Sequence, residues 1–313
     1  MILDNYSAMH DLLLHITKEE GEKNMWLVYA VLSSFFAGIT AILVKVGVEN
    51  TNSNLLTALR TIVVLFFSWI MVFIVGSQGT IGDVSLKTLL FLCASGITTG
   101  ASWICYFHAL QIGNVNVVVP IDKSSVVLTI FLGVIFLHEP MSFVKFICVI
   151  AIAVGTYLMI EKKKVEPVSG ETKKRSTIFY AFLSAFFASL TALLSKIGIV
   201  GIESNLGTAI RTIIVLIMAW VIVFYTGSYK GIRNISKKSW TFIVLSGIAT
   251  GLSWLCYYRA LQDGPISVVL PIDKLSTVVS IAFAYIVFKE KLTKKSGAGL
   301  ALIVAGTLGM VVL

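Results

Sequence analysis

The chain alternates long apolar segments with short polar ones from about residue 25 to its end. Each apolar segment has about 20 residues, which is enough to cross about 30 Å of hydrocarbon as a helix. The segments lack the alternation of a barrel strand, and only helices or closed barrels satisfy their backbone groups in lipid. The pattern predicts an all-α polytopic membrane protein with ten transmembrane helices, at residues 26–48, 54–76, 87–110, 115–137, 142–160, 177–199, 205–227, 238–261, 266–288 and 293–313.

A sequence repeat organises these ten segments. The pentapeptide VPIDK at 119–123 returns as LPIDK at 270–274, about 151 positions later. The same shift aligns about residues 27–162 with about residues 178–313 without a gap, at roughly two identical positions in five. Five segments per copy is an odd number, so the second copy enters the membrane upside down relative to the first. We therefore expect two five-helix inverted-topology repeats.

The repeat divides the chain into four regions. We expect an N-terminal extension at 1–24, the first repeat at 25–160, a polar linker at 161–176 and the second repeat at 177–313. Basic residues in short loops favour the cytoplasm, and about 14 lysines and arginines fall on the linker's side of the membrane against about 4 on the other side. This count predicts a cytoplasmic linker and places both termini outside.

Composition supports the membrane assignment and argues against several classes of function. The chain is 57% hydrophobic and 13% charged, whereas soluble domains have about 25% charged residues. The net charge of +9 comes mostly from loop residues that the orientation rule explains, so no nucleic-acid partner is expected. The sequence has no C-x-x-C pair, metal cluster, nucleophile-base set or phosphate loop. It therefore predicts a protein that is not an enzyme and needs no metal or other cofactor.

Charged residues inside the apolar segments are the first candidates for function, because each costs several kcal/mol in lipid unless it is paired or hydrated. Each repeat has three basic residues and one acidic residue of this kind: Lys45, Arg60, Asp122 and Lys123 in the first, and Lys196, Arg211, Asp273 and Lys274 in the second. A cavity with this surplus of positive charge is expected to prefer anionic or zwitterionic ligands.

The roles of these charges stay open between structure and ligand binding. Asp122 has Arg60 or Lys45 as candidate partners at a similar depth, and it is either part of a structural ion pair or a binding residue. Adjacent helix residues point about 100° apart, so Asp122 and Lys123 are not expected to pair with each other. Lys45 is either functional or extends its amine to the membrane interface. In an inverted repeat we expect Asp122 toward the cytoplasmic side and Asp273 toward the outer side.

The third segment of each repeat carries small and aromatic residues in the same order. It contains a G-x-x-x-G spacing, which lets helices approach closely. Trp103 and Trp254 are expected to form cavity walls, whereas Tyr106 and Tyr257 fit either a cavity or interfacial anchoring. The symmetry fails where one copy has a histidine and the other an arginine. We expect six residues to act in gating or helix pairing: Lys45, Tyr106, His108, Lys196, Tyr257 and Arg259.

The ten spans, the two inverted halves and the body of each half, with SGIxTGxSWxCY and PIDK in both, resemble the EamA family of the drug/metabolite transporter superfamily. The resemblance covers about residues 25–313, and each half is also similar to short single-repeat members that are thought to work as antiparallel pairs. It implies alternating access and a cavity between the halves, lined mainly by the first four helices of each, with the fifth peripheral. Ten-span members usually keep both termini in the cytoplasm, unlike the placement that the charge count predicts.

We therefore predict a secondary transporter of a small polar metabolite, such as an amino acid or another zwitterion or anion, in the cell (inner or plasma) membrane. Its expected partners are that substrate, the lipid bilayer and a proton or sodium ion for coupling, and the chain is expected to work as a monomer with an internal pseudo-dimer. The predicted binding residues are Arg60, Arg211, Lys123 and Lys274 for an anionic group, Asp122 and Asp273 for an amine or coupling cation, and Trp103 and Trp254 as walls. A passive facilitator and a non-transporting scaffold or receptor are the alternatives.

Overall fold

The computed structural model describes residues 25–46, 51–113, 115–160, 171–289 and 293–312. The predicted N-terminal extension and most of the predicted linker lie outside these residues. The helices of the first repeat are α1 (Met25–Val46), α2 (Ser53–Val75), α3 (Leu86–Ile112), α4 (Val115–Lys123), α5 (Ser125–Leu137) and α6 (Phe143–Met159). Those of the second are α7 (Glu171–Ile199), α8 (Ser204–Tyr225), α9 (Lys237–Asp263), α10 (Ile266–Lys274), α11 (Ser276–Phe288) and α12 (Lys294–Val312).

Short polar connections define where the helices begin and end. A 3-10 helix follows α2 at Ser77–Asp83, and a second follows α8 at Ser228–Asn234. The next helix of each repeat then starts at a serine cap. The hydroxyls of Ser85 and Ser236 each accept a hydrogen bond of 3.1 Å from a backbone N–H three residues later, which satisfies one of the free donors at a helix start.

The predicted membrane spans are present in the described part of the chain. Nine are long and apolar enough to cross a membrane, and α6 is a shorter apolar helix of 17 residues. Their ends lie within a few residues of the predicted ones, apart from α7, which begins at Glu171. The prediction of an all-α membrane protein with ten spans in two five-helix inverted-topology repeats is confirmed.

The fourth span of each repeat departs from the prediction of a continuous helix. The span at 115–137 is interrupted at Ser124, and the span at 266–288 is interrupted at Leu275. Pro120 and Pro271 lie in the preceding helices α4 and α10, where proline removes one N–H donor and weakens the helix. In both repeats the interruption comes directly after the Asp-Lys pair.

Helices from opposite repeats pack against each other, so the two repeats interlock. The main pairs are α3 with α7, α2 with α8, and α6 with α12. Helix α1 is joined to α9, because the Ser253 hydroxyl donates to the Ser33 carbonyl at 3.0 Å. The predicted packing role of the G-x-x-x-G glycines is confirmed: a Cβ built at Gly96 would lie 2.7 Å from Ile214 of α8, and one at Gly247 would lie 2.6 Å from Val63 of α2.

Glycines also bring the backbones of α6 and α12 together. A Cβ built at Gly299 would lie 2.7 Å from the carbonyl oxygen of Gly155, and one at Gly155 would lie 2.6 Å from the carbonyl oxygen of Gly299. Both contacts are shorter than a side chain allows, so only glycine fits at this crossing. These two helices pair with each other and contribute no residue to the cavity described below.

Replacing Gly299 with valine is expected to lower the apparent unfolding midpoint of the purified protein, with a loss of about 1–3 kcal/mol from forced separation of α6 and α12. The matched control is Gly297→Val on the same helix, because a Cβ there has no atom within 4 Å. Thermal unfolding in detergent measures both variants. Equal midpoints for the two variants would contradict the close crossing.

A charged cavity between the two repeats

A cavity of about 430 Å³ lies between the repeats and is lined by residues of both. Six of its lining residues were predicted from the sequence as binding or gating residues: Trp103, Arg211, Trp254, Tyr257, Asp273 and Lys274. Five residues with hydroxyl groups, none of them predicted as binding residues, complete the polar lining: Thr99, Ser102, Thr191, Ser253 and Tyr258. The cavity therefore combines both signs of charge with aromatic walls.

Arg211 is buried and contacts two hydroxyl groups and two aromatic rings. It is 3% exposed, its Nε donates to the Ser95 hydroxyl at 3.2 Å, and its Nη2 donates to the Thr99 hydroxyl at 2.7 Å. Its guanidinium carbon lies 5.6 Å from the ring centre of Trp254 and 5.1 Å from that of Tyr258, within the range of cation–π attraction. Arg211 thus joins α8 to α3 of the other repeat and to α9.

Each intramembrane aspartate accepts a hydrogen bond from a serine of the other repeat. The Ser184 hydroxyl donates to Asp122 Oδ1 at 2.8 Å, and the Ser33 hydroxyl donates to Asp273 Oδ1 at 3.4 Å. The partner of Asp122 is therefore Ser184 of α7 and neither Arg60 nor Lys45, the two candidates that the sequence favours. That expectation considered only charged groups of the same repeat and missed a hydroxyl contributed by the other one.

These serines belong to a hydrogen-bonded set that repeats on both sides of the pseudo-symmetry axis. Ser102 donates to the Ser184 carbonyl oxygen at 3.1 Å, and the two hydroxyls lie 3.3 Å apart. Their equivalents Ser33 and Ser253 have hydroxyls 3.4 Å apart. The signal was present in the sequence, because both serines recur at the repeat spacing. It was missed because serine is common in membrane helices as a packing residue.

The second Asp-Lys pair forms an ion pair, contrary to the prediction for adjacent helix residues. Lys274 Nζ lies 3.6 Å from Asp273 Oδ2. Lys274 is the last residue of α10, so its long side chain is free to fold back along the helix end. The angle of about 100° between adjacent helix residues describes the directions of their Cβ atoms. A lysine side chain at a helix end is long enough to reach its neighbour despite that angle.

The two Asp-Lys pairs lie within electrostatic range of each other. Lys123 interacts electrostatically with Lys274, Asp122 and Asp273. Helices α4 and α10 have 9 residues each, a length of about 13 Å, or about half the hydrocarbon thickness. The ends of these two short helices are therefore close enough for the Asp-Lys pairs to interact, and the placement of Asp122 toward the cytoplasmic side and Asp273 toward the outer side stays a prediction.

Lys196 and Glu139 together hold the turn between α9 and α10. Lys196 Nζ donates to the carbonyl oxygens of Leu261 at 2.6 Å, Gln262 at 3.2 Å and Gly264 at 2.8 Å. Lys196 thus joins α7 to the end of α9. On the other side of the turn, Glu139 of the first repeat accepts from the first two N–H groups of α10, at 2.6 and 2.9 Å, where the helix dipole favours an anion.

The remaining predicted residues lie away from the cavity lining. Arg60, Asp122 and Lys123 are not among the lining residues, and Tyr106 packs against a small apolar cluster of α3, α4 and α7. Lys45 is exposed near the end of α1.

The pair at which the two copies differ has two separate environments. The His108 ring stacks edge-on against Tyr180 with centroids 4.4 Å apart, and Arg259 forms an ion pair of 3.2 Å with Asp263 of its own helix. Both of these contacts lie outside the cavity.

The sequence profile of the EamA-like transporter family matches two segments of this chain, residues 24–161 and 175–312. The chain belongs to the EamA-like transporter family. It is therefore a multi-pass membrane protein of a transporter family, and its two matched segments coincide with the two interlocking repeats.

Two curated relatives and one solved structure extend this result. A Sinorhizobium sp. protein described as an uncharacterized transporter in the cobO 3′ region is 44% identical over 130 residues, which cover 42% of this chain and 92% of that protein. An uncharacterized protein of Methanocaldococcus jannaschii is 27% identical over 96 residues, which cover 28% of this chain and 70% of that protein. A solved crystal structure superposes with a TM-score of 0.70 at 13% identity over 92% of this chain and 97% of the other, which supports the fold alone.

Replacing Lys196 with methionine is expected to lower the apparent unfolding midpoint of this EamA protein, because three carbonyls at the end of α9 lose a charged donor. The expected loss is about 1–3 kcal/mol, the usual effect of removing a charged hydrogen-bond partner. Thermal unfolding in detergent provides the measurement. Lys238→Met is the control, because Lys238 is an exposed lysine at the start of α9, the helix whose end Lys196 contacts. A midpoint for Lys196→Met equal to that of the control would show that the capping contacts do not stabilise the fold.

Proposed function

We propose that this protein is a secondary transporter of small zwitterions, with amino acids as the first class to test. The observation that carries the proposal is the cavity between the repeats, where cationic Arg211 and Lys274 and anionic Asp273 lie among tryptophan and tyrosine walls. A zwitterion offers one carboxylate and one amine to such a site, and its short side chain packs against the aromatic rings. The cavity volume of about 430 Å³ suits a small metabolite.

Unequal burial of the two repeats supports an alternating-access mechanism. Residues 266–272 of α10 are all buried, whereas in α4 most of residues 117–123 are partly or fully exposed. The side of the protein at the α9–α10 turn is therefore more tightly packed than the side at the α3–α4 turn. Inverted repeats alternate access when the two halves exchange such unequal packing around a fixed site. In the orientation given by the basic residues, the looser side faces the cytoplasm.

The proposed division of labour follows the charges. Lys274 and one of the two intramembrane arginines attract the carboxylate of the substrate, while Asp273 accepts its amine or a coupling proton or sodium ion. Asp122 joins the cavity indirectly, because its partner Ser184 is hydrogen-bonded to Ser102 in the cavity lining. Trp103 and Trp254 are the proposed walls, and the cell membrane is the proposed location.

The proposal predicts transport of amino acids into liposomes that contain the purified protein. Uptake of radiolabelled L-amino acids, tested one at a time against empty liposomes, is expected to fall about tenfold or more in Asp273→Asn, because loss of a charged partner weakens binding by about that factor. Asp83→Asn is the control, since Asp83 is an exposed carboxylate outside the cavity. Asp273→Asn and Asp122→Asn that fold normally and leave uptake unchanged would reject this site.

The same assay separates the alternative functions. A passive facilitator would move the amino acid at a rate that ignores imposed pH and sodium gradients. A scaffold or receptor would give no uptake above that of empty liposomes. Coupled transport is the outcome that we expect, with uptake that depends on one of the two gradients.

Orientation has its own test at two equivalent positions of the 3-10 helices. Asp83 and Asn234 are exposed and occupy matching places in the two repeats, so an inverted topology puts them on opposite sides of the membrane. In a chain without its four native cysteines, an impermeant thiol reagent added to intact cells is expected to label Asp83→Cys and not Asn234→Cys. The reverse labelling would place both termini in the cytoplasm, and labelling of both variants alike would contradict the inverted arrangement.

A further inference from the structure

Arg60 and Arg211 occupy matching positions in the two repeats but have different surroundings. The helices that carry them pack in the same way, because Val63 of α2 contacts Gly247 as Ile214 of α8 contacts Gly96, with constructed Cβ distances of 2.6 and 2.7 Å. Arg211 donates hydrogen bonds from Nε and from Nη2, as described above. Arg60 Nε is one of three buried polar side-chain atoms without a hydrogen-bond partner in the described part of the chain.

The acceptors that would hold Arg60 are nevertheless present on α9. Around Arg211, the hydroxyls of Ser95 and Thr99 donate to carbonyls of their own helix, both at 2.7 Å, and so present oxygen lone pairs to the guanidinium. The equivalent hydroxyls on α9, those of Ser246 and Thr250, donate in the same way at 3.0 and 2.7 Å. The second acceptor pair is therefore preformed, and its geometry alone does not explain why Arg60 is unbound.

One difference between the repeats lies directly beside these acceptors. On α3 of the first repeat, Thr98 shares a hydrogen bond of 2.9 Å with Thr191 of α7. This leaves the next residue, Thr99, to Arg211. The position that matches Thr98 in the second repeat is Ala249. Thr40, the equivalent of Thr191, instead has its hydroxyl 3.3 Å from that of Thr250, beside the acceptor that Arg60 would use.

We propose that Arg60, which lies behind the cavity lining, is the residue that binds the carboxylate of the ligand, whereas Arg211 holds the helices together. A buried guanidinium nitrogen without an acceptor is costly, and a carboxylate matches the planar fork of arginine with two parallel hydrogen bonds. The inference rests on the proposed function for its transported substrate. Its anion-binding part is independent of transport.

The position of Arg60 fits contact with the cavity from the first repeat. Its potential acceptor Thr250 lies one turn before Ser253 and Trp254, which line the cavity. From the other side, the cavity residue Trp103 packs against a cluster that includes Leu59, the neighbour of Arg60 on α2. A ligand carboxylate in the cavity would thus lie beside α9 and near α2, the helix that carries Arg60. The amine of the same ligand would then face Asp273.

Acetate is a suitable probe because it carries the carboxylate without an amine. The unfolding midpoint of the full chain in detergent is measured over an acetate titration, with sodium chloride adjusted to constant ionic strength. Binding to the folded state raises the midpoint. Wild type is expected to gain stability with acetate, Arg60→Gln to bind it about tenfold more weakly or not at all, and Arg211→Gln to start from a lower midpoint yet keep an affinity within about threefold of wild type.

Two further variants test the cause of the asymmetry. Ala249→Thr gives Thr40 a threonine to contact in the place that Thr98 has beside Thr191, and so leaves Thr250 to Arg60. Acetate binding is then expected to weaken about threefold or more, while the midpoint without acetate does not fall. Thr98→Ala is the mirrored control on the first repeat, and it is expected to keep the wild-type affinity while its midpoint falls. Arg60→Lys retains the charge without the fork and provides a second variant if Arg60→Gln does not fold.

The results that would overturn the inference are specific. Acetate that stabilises Arg60→Gln or Arg60→Lys as strongly as wild type, or that has no effect on wild type, would remove Arg60 as the anion-binding residue. Loss of acetate binding in Arg211→Gln alone would transfer the role to Arg211. Absence of amino-acid uptake with the acetate results intact would reject the proposed function and leave the assignment of Arg60 standing.

Discussion

A charged or polar group in lipid requires a partner, and this protein finds its partners across the boundary between its repeats. Asp122 of the first repeat bonds Ser184 of the second, and Arg211 of the second bonds Ser95 and Thr99 of the first. Neither of these two charges is satisfied within its own repeat, so the segments that carry Asp122 and Arg211 depend on the assembled fold. The interlocking order of helices follows from this requirement as much as from glycine packing.

The contacts that hold the repeats together differ in strength along the membrane normal. Near the middle, single hydroxyls meet carboxylates and other hydroxyls, and these rotate at little cost. At the α9–α10 turn, Glu139 of the first repeat accepts two charge-assisted bonds from α10 of the second, and Lys196 adds others within the second repeat. Such bonds are stronger. The centre is thus adaptable to a ligand while one end is fixed, a distribution that suits a site reached from one side at a time.

The repeat in the sequence was enough to predict the fold, because hydropathy defines spans and an odd number per copy defines inversion. The lining residues Trp103, Trp254, Asp273 and Lys274 were also found, since charges and tryptophans stand out in apolar segments. The serine and threonine partners were not found, because hydroxyl residues are frequent in membrane helices and their value depends on what faces them. The pairing of Asp273 with Lys274 was missed because a helix end, invisible in hydropathy, relaxes the angular rule. The helix interruptions had a signal in Pro120 and Pro271, but proline alone does not locate a break.

Tandem fusion gives this chain a freedom that a protein of one repeat lacks. The Sinorhizobium relative matches over nearly all its own length but under half of this chain, so it has about the length of a single repeat. Two identical copies must mutate together, and any residue that binds a ligand in one copy must do the same structural task in the other. The difference between Thr98 in one copy and Ala249 in the other is one that a chain of two fused repeats can hold and two identical copies cannot. The two matching arginines are therefore free to take different roles.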